Sequence, residues 1–453
     1  MASQGENNTL DRSSSKLDDV PQSQSATTLA AADNEAGAME GSGSSADVEK
    51  GANPVVTFPE GGARGWATTA GAAGVLFCTF GYINTWGFYQ EYYQTHQLSG
   101  ETPSAISWIG SVQGFFIFSG SLVGGPLFDQ YGEKVLWPPA FIYVLSIFMT
   151  SISTKYWHFI LAQGVLGGIS MGMTMAPAMA AVPQYFNKKR GAAMGATIAG
   201  SSVGGVILPI MLGKMLNGNA LTFGWAVRVV AFLMLTILSM SSLCIKARLP
   251  PRKGTFFLPG AFKDLQYVAV VAAGFLLVFG FFGPFVYLPV YAVQQGMSKL
   301  LASYVLSILN ASSFFGRVVP GILADKLGRY NTLFVAAIAS GILIFCWPLI
   351  TTNAGIIVFA VLFGFFSGTI ISGLMVCLAS CARDPRAIGT YIGMGLTLGG
   401  VAVLIGPPIN GALLTEYRGF HEISWLMGAV TMAGAVSVVF AKWLGGGGIF
   451  AKL

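Results

Sequence analysis

At 453 residues, 53% hydrophobic and only 10% charged, the chain carries too little charge to cover a water-exposed surface, since soluble domains are about 25% charged. Its net charge is +6, but no basic cluster interleaves with aromatics on a polar segment, which excludes a nucleic-acid module and leaves anionic lipid headgroups as the partner. The five cysteines (Cys78, Cys244, Cys346, Cys377, Cys381) lie in or beside apolar runs, so no disulfide framework, metal site or cofactor is expected.

Residues 1–60, rich in Ser, Ala, Gly and acids, read as a disordered cytosolic tail without the apolar core of a signal peptide. Beyond them, segments of the length that crosses a bilayer recur at 66–88, 104–126, 135–153, 158–182, 191–213, 223–245, 265–290, 300–322, 332–350, 354–378, 388–413 and 422–443. They predict an all-α membrane protein of twelve spans. Residues 61–246 form an N-terminal six-helix half, 247–264 a cytosolic linker and 265–453 a C-terminal six-helix half. With the tail inside, Lys188, Lys189, Arg248, Arg252 and Lys253 join the cytosolic side, whereas the outer side keeps only Lys155, Lys214, Lys299 and Arg418. That asymmetry puts both termini in the cytosol, with the plasma membrane as the expected location.

The halves repeat. Gly125-Pro-Leu127-Phe-Asp129-Gln-Tyr-Gly132 after span 2 returns as Gly321-Ile-Leu323-Ala-Asp325-Lys-Leu-Gly328 after span 8, and glycine-rich spans 5 and 11 each carry an internal proline, Pro209 and Pro407. Duplicated six-helix halves are a transporter plan with the solute site near the midplane. The two loops resemble the signature loop of the major facilitator superfamily. Glu60-Gly61-Gly62-Ala63-Arg64-Gly65-Trp66 and the stretch from Tyr185 to Gly200 are similar to the span 1 entry and span 5 of the monocarboxylate porter family, nearest its fungal branch. The resemblance implies a secondary transporter. Proton-coupled members of that family place a lysine in span 1 and an Asp–Arg pair in span 8. Here span 1 reads Gly81-Tyr82-Ile83-Asn84-Thr85-Trp86, and Ser313 stands one turn before Arg317. Lactate-type proton symport is therefore not expected.

Arg317 is the most informative side chain. A charge inside a span costs several kcal/mol unless paired, and no Asp or Glu lies within the depth of any predicted span. An incoming carboxylate is one partner for its planar fork; helix carbonyls or the inner interface are the other. Asn310, seven residues earlier on the same helix face, Ser313, Asn84 and Tyr82 complete the candidate binding set. Asp129, Gly132, Lys134, Arg190, Asp325, Gly328 and Arg329 form a candidate conformational switch, in which each carboxylate pairs with a helix N-terminus or a basic loop residue in one state only. The expected activity is alternating-access transport of a small organic anion, monocarboxylate-like, by a monomer. Export of a fungal secondary metabolite is the alternative, and a transporter-like solute receptor the rival of another class. An enzyme is not expected, because the spans hold no general acid–base pair.

Overall fold

The structure, a computed structural model, describes residues 58–217, 221–253, 255–417 and 419–446. The tail expected over 1–60 lies outside these residues except for its last three, and so does Arg418. The described chain is helical and contains no strand, as hydrocarbon demands, because a helix satisfies its backbone polar groups within its own segment.

Eleven helical stretches are long and apolar enough to cross a bilayer. One of them, Ser104–Ser151, runs for 48 residues, about twice a single crossing. It turns at Gly132, whose φ of 70° suits glycine, and its first arm packs on span 11 whereas its second packs on span 6. Counted as two, it brings the described residues to twelve spans.

The first span is broken into α1 (Gly62–Cys78), α2 (Phe80–Ile83) and α3 (Trp86–Thr95). The second is α4 (Pro103–Ser119) followed by α5 (Ser121–Tyr131), and the third is α6 (Trp137–Ser151). The fourth joins α7 (Tyr156–Phe159) to α8 (Gly168–Ala181) through a π-helical stretch, Ile160–Gly167. Then come α9 (Arg190–Asn217), α10 (Phe223–Cys244), α11 (Leu265–Gln294), α12 (Lys299–Leu327), α13 (Arg329–Cys346), α14 (Asn353–Ser380), α15 (Ile388–Tyr417) and α16 (His421–Leu444). Polar caps set several starts: the Thr102, Asp264, Ser298 and Thr352 side chains accept from Ala105, Gln266, Leu301 and Gly355 N–H respectively, satisfying donors that a helix leaves free.

In the N half, α1 packs on α9 and α10, α6 on α10, and both α4 and α5 on α8. In the C half, α12 packs on α14, and α16 on both α11 and α13. The most extensive contacts between the halves are α9 along α12 and α15 along α4 and α5, and α9 also touches α14 as α15 touches α8. They are equivalent under the internal repeat, since span 5 meets span 8 as span 11 meets span 2. The outer faces are apolar. Phe141, Leu243 and Val436 are 67%, 65% and 68% exposed, a surface suited to lipid and not to water. Exposed Trp137, Trp157, Trp225 and Trp443 sit at span ends, where amphipathic rings favour the headgroup layer.

Small residues set the helix spacing. A Cβ on Gly316 of α12 would strike the Phe365 carbonyl of α14. Gly316→Ala should therefore destabilise the C half by about 1–3 kcal/mol, the usual range for overpacking. Gly87→Ala, where an added methyl meets nothing within 4 Å, should leave thermal unfolding of the purified protein unchanged. Equal melting temperatures for the two variants would contradict this packing.

Candidate functional site: the seam between the halves

At one end of the molecule each half inserts a carboxylate into a helix N-terminus of the other. Asp325, at the end of α12, accepts from Gly191 N at 2.7 Å and Ala192 N at 2.9 Å, the opening amides of α9. Asp129, at the end of α5, accepts from Gly389 N at 3.0 Å, and from Thr390 N and Thr390 Oγ1, both at 2.6 Å, at the start of α15. The first amides of a helix have no partner within it and carry its positive dipole end, so a carboxylate there is favoured. Close approach makes these bonds reachable: a Cβ at Gly389 would stand 2.6 Å from Asp129 Oδ1 and 2.7 Å from the Gly125 carbonyl. Gly132 and Gly328 end the two carboxylate-bearing helices with φ of 70° and 100°, turning the chain away immediately after each acid.

The two carboxylate sites differ. Asp129 is 4% exposed, and its own carbonyl also accepts from Arg252 N at 2.7 Å. The Arg252 guanidinium reaches Thr390 Oγ1 at 3.4 Å. Asp325 is only half-buried and lacks a hydroxyl donor. The linker is thereby tied to the Asp129 side. Ala247 N donates to Glu133 Oε2 at 3.2 Å, and Arg248 N to Gln184 Oε1 at 2.8 Å, around a cavity of about 150 Å³ that Asp129 and Arg386 also line.

None of the cations of the predicted switch donates to these carboxylates among the described residues. Arg190 is buried and its Nε donates to Phe186 O at 3.2 Å, Arg329 Nη2 donates to Asn187 O at 2.9 Å, and Lys134 is exposed. Arg386 pairs with Asp384 at 3.0 Å. Burial alone would raise the Asp384 carboxyl; hydrogen bonds from the Arg386 side chain and backbone outweigh it and hold Asp384 below the usual carboxylate range.

Deeper in the seam, Arg317 is 4% exposed and crosses from α12 to α9. Its Nη1 donates to Ile198 O at 3.0 Å and to Ser201 Oγ, while its Nε has no partner. No carboxylate pairs with it among the described residues. Two turns nearer the other end, Asn84 and Asn310 converge on Gly205 of α9. A Cβ there would stand 2.7 Å from Asn84 Nδ2 and 2.9 Å from Asn310 Oδ1, the latter an oxygen without a donor. Arg317, Asn310 and Asn84 thus line one path along α9. Ser313 and Tyr82 do not join it. Ser313 faces α14, its Oγ against Gly368. Tyr82 turns into the N half, its hydroxyl donating to Tyr89 Oη at 3.1 Å and its ring edge-on to Tyr143.

Two six-helix halves thus meet through helix ends, with a carboxylate from each half at one end of the seam and an arginine without a carboxylate partner among the described residues behind them. Residues 71–407 match the Major Facilitator Superfamily profile. The chain belongs to the major facilitator superfamily. This facilitator is 56% identical over 85% of its length, and 79% of the relative's, to the aspyridones efflux protein apdF of Emericella nidulans. To the agnestins efflux protein AgnL12 of Paecilomyces divaricatus it is 38% identical, over 81% of this chain and 85% of that one. Among solved structures, the human organic anion transporter MFSD10 superposes with a TM-score of 0.68 at 15% identity, over 83% of this chain and 100% of the other. The transporter FucP in its outward conformation gives 0.65 at 14% identity, over 83% and 98%. The protein is a multi-pass membrane transporter of small solutes, and not an enzyme.

Three seam residues escape a reading by residue type alone: Thr390, Arg252 and Ser201. Thr390 stands to α15 as Ala192 stands to α9, so aligning the two halves finds the position. For Ser201, one small residue in a small-residue helix, the sequence carries no signal.

Proposed function

We propose that this transporter exports an acidic secondary metabolite across the plasma membrane by alternating access, acting as a monomer. The observation that carries the reading is its 56% identity to a protein named for efflux of aspyridones. In this reading the chain is a fungal member of the monocarboxylate porter branch, adapted to larger acids. Residues 61–246 and 265–453 are its two rocking bodies, and 247–264 the linker between them.

Arg317 supports an acidic substrate and gives the cycle a direction. When α9 and α12 part at the lock end, Ile198 O and Ser201 Oγ leave the guanidinium unsatisfied in a low-dielectric seam, where a carboxylate is its best replacement. An acid entering from the lock end takes their place, with the amides of Asn84 and Asn310 available to its polar groups. On closure the α9 acceptors reclaim Arg317 and displace the acid toward the opposite mouth. The locks would face the cytosol, where the positive-inside rule puts Lys188, Lys189, Arg248 and Lys253.

Inside-out vesicles bearing the protein should accumulate members of a carboxylate panel, and empty vesicles should not. In intact cells, an impermeant maleimide should label Gln97→Cys but not Lys189→Cys in a background lacking the native cysteines. Labelling of Lys189→Cys from outside would reverse the orientation and with it the direction of transport.

A further inference from the structure

Two residues before α1, Glu60 has a φ of 52°, the one positive value for a non-glycine among the described residues. Such a conformation is unfavourable for a side-chain-bearing residue and persists where its surroundings enforce it. Here they do. Glu60 Oε1 accepts from Asn187 N at 3.1 Å and Lys188 N at 2.8 Å, and Oε2 from Lys188 N at 2.9 Å and Lys189 N at 3.1 Å. Glu60 N donates back to Tyr185 O at 3.1 Å, and Trp66 packs edge-on against Phe186 at 5.3 Å. A carboxylate on three successive amides makes charge-assisted bonds that fix the shape of the turn.

The same turn faces the opposite half. Its Asn187 carbonyl accepts from Arg329, and its Gly191 and Ala192 amides donate to Asp325. Three bonds between the halves therefore depend on a segment whose first three amides Glu60 occupies. We infer that Glu60 is a positioning residue for closure: its carboxylate pre-sets the 187–192 turn so that Asp325 and Arg329 meet their partners when the halves come together. The C half carries a counterpart. Asp384 Oδ1 accepts from Arg386 N at 2.9 Å just before α15, whose opening amides go to Asp129. Each lock thus pairs a resident carboxylate with a visiting one. The visiting acid can dock and leave without the helix start losing its shape.

The inference rests on the reading of Asp325 as a lock, and its test separates the two. Nitroxides at positions 188 and 326, both exposed, report the separation of the halves in the full-length protein in lipid nanodiscs, by pulsed electron resonance and without any substrate. Asp325→Asn should add a longer-distance population. Glu60→Gln should add the same population, and the double variant no more than Asp325→Asn alone. Hydrogen exchange of the 187–192 amides should quicken by about tenfold or more in Glu60→Gln, as expected when charge-assisted bonds are lost. Glu60→Asp, which keeps the charge one methylene short, should fall between. If Asp325→Asn leaves the distances unchanged, the lock and the inference fail together. If Asp325→Asn opens the seam and Glu60→Gln leaves distances and exchange as in the unaltered protein, the inference alone fails. Should Glu60→Gln not accumulate in membranes, Glu60→Asp carries the comparison, and unaltered behaviour in it overturns the inference.

Discussion

Arg317→Gln should abolish the transporter's preference for an acid over its uncharged amide or ester. The guanidinium is buried, meets no carboxylate among the described residues, and gives up its two α9 acceptors whenever α9 and α12 separate. A solute carboxylate replacing them gains hydrogen bonds worth about 1.5–3 kcal/mol each, and this gain vanishes when the side chain is a neutral amide. Arg317→Lys keeps the charge without the planar fork, so it should weaken binding by about 1–3 kcal/mol and keep some preference for acids. The measurement is competition between acid and amide forms of one solute in inside-out vesicles, corrected for protein amount. An unaltered acid preference in well-expressed Arg317→Gln would leave the guanidinium as a brace between α12 and α9 and remove the case for an anionic solute.

Asp129→Asn should slow turnover more than Asp325→Asn, and neither should change apparent affinity by more than a few-fold. A carboxamide at position 129 can keep its oxygen toward Thr390 N and Thr390 Oγ1, which both approach one carboxylate oxygen, but it then turns an NH₂ donor toward Gly389 N, which is left without its acceptor. At a site only 4% exposed, water cannot readily replace the lost acceptor. The closed state should lose at least about 1.5–3 kcal/mol, the worth of one hydrogen bond to a charged group, and every 1.4 kcal/mol moves the balance of states about tenfold. Asp325 has only two backbone donors and a half-exposed carboxylate, so water blunts its loss. Steady-state transport with separate maximal rate and half-saturation values tests both variants. A large loss of affinity with normal switching would place Asp129 in the solute site.

The span pattern was legible because hydrocarbon allows few solutions for a backbone, and the internal repeat singled out spans 2 and 8 by their loops and spans 5 and 11 by their glycines, but not which of them meet. The lock residues were legible as acids at repeated positions. Their partners were less so, because the structure answers Asp129 and Asp325 with backbone amides, which any residue carries and no sequence advertises. The cations nearby drew attention for their charge alone: Arg190 bonds within its own turn, and Arg329 bonds a carbonyl. Side-chain direction was the other gap. Ser313 lies between Asn310 and Arg317 in sequence, yet it packs on Gly368 of α14. A short side chain on the flank of the α9-facing stripe is claimed by whichever helix comes closer. Tyr82, two residues from Asn84, points to the opposite side of the broken first span.

That break has no equivalent in the second half. Span 1 is interrupted at Thr79 and span 4 runs through the π-helical stretch Ile160–Gly167, whereas their repeats α11 and α14 run as single α-helices of 30 and 28 residues. Irregular stretches open at lower free energy than continuous helix. The halves are therefore duplicated in plan and unequal in backbone regularity. The irregular stretches of spans 1 and 4 meet where Tyr93 Oη donates to Gln163 Oε1 at 2.7 Å, so one buried bond ties the two interruptions of the N half together.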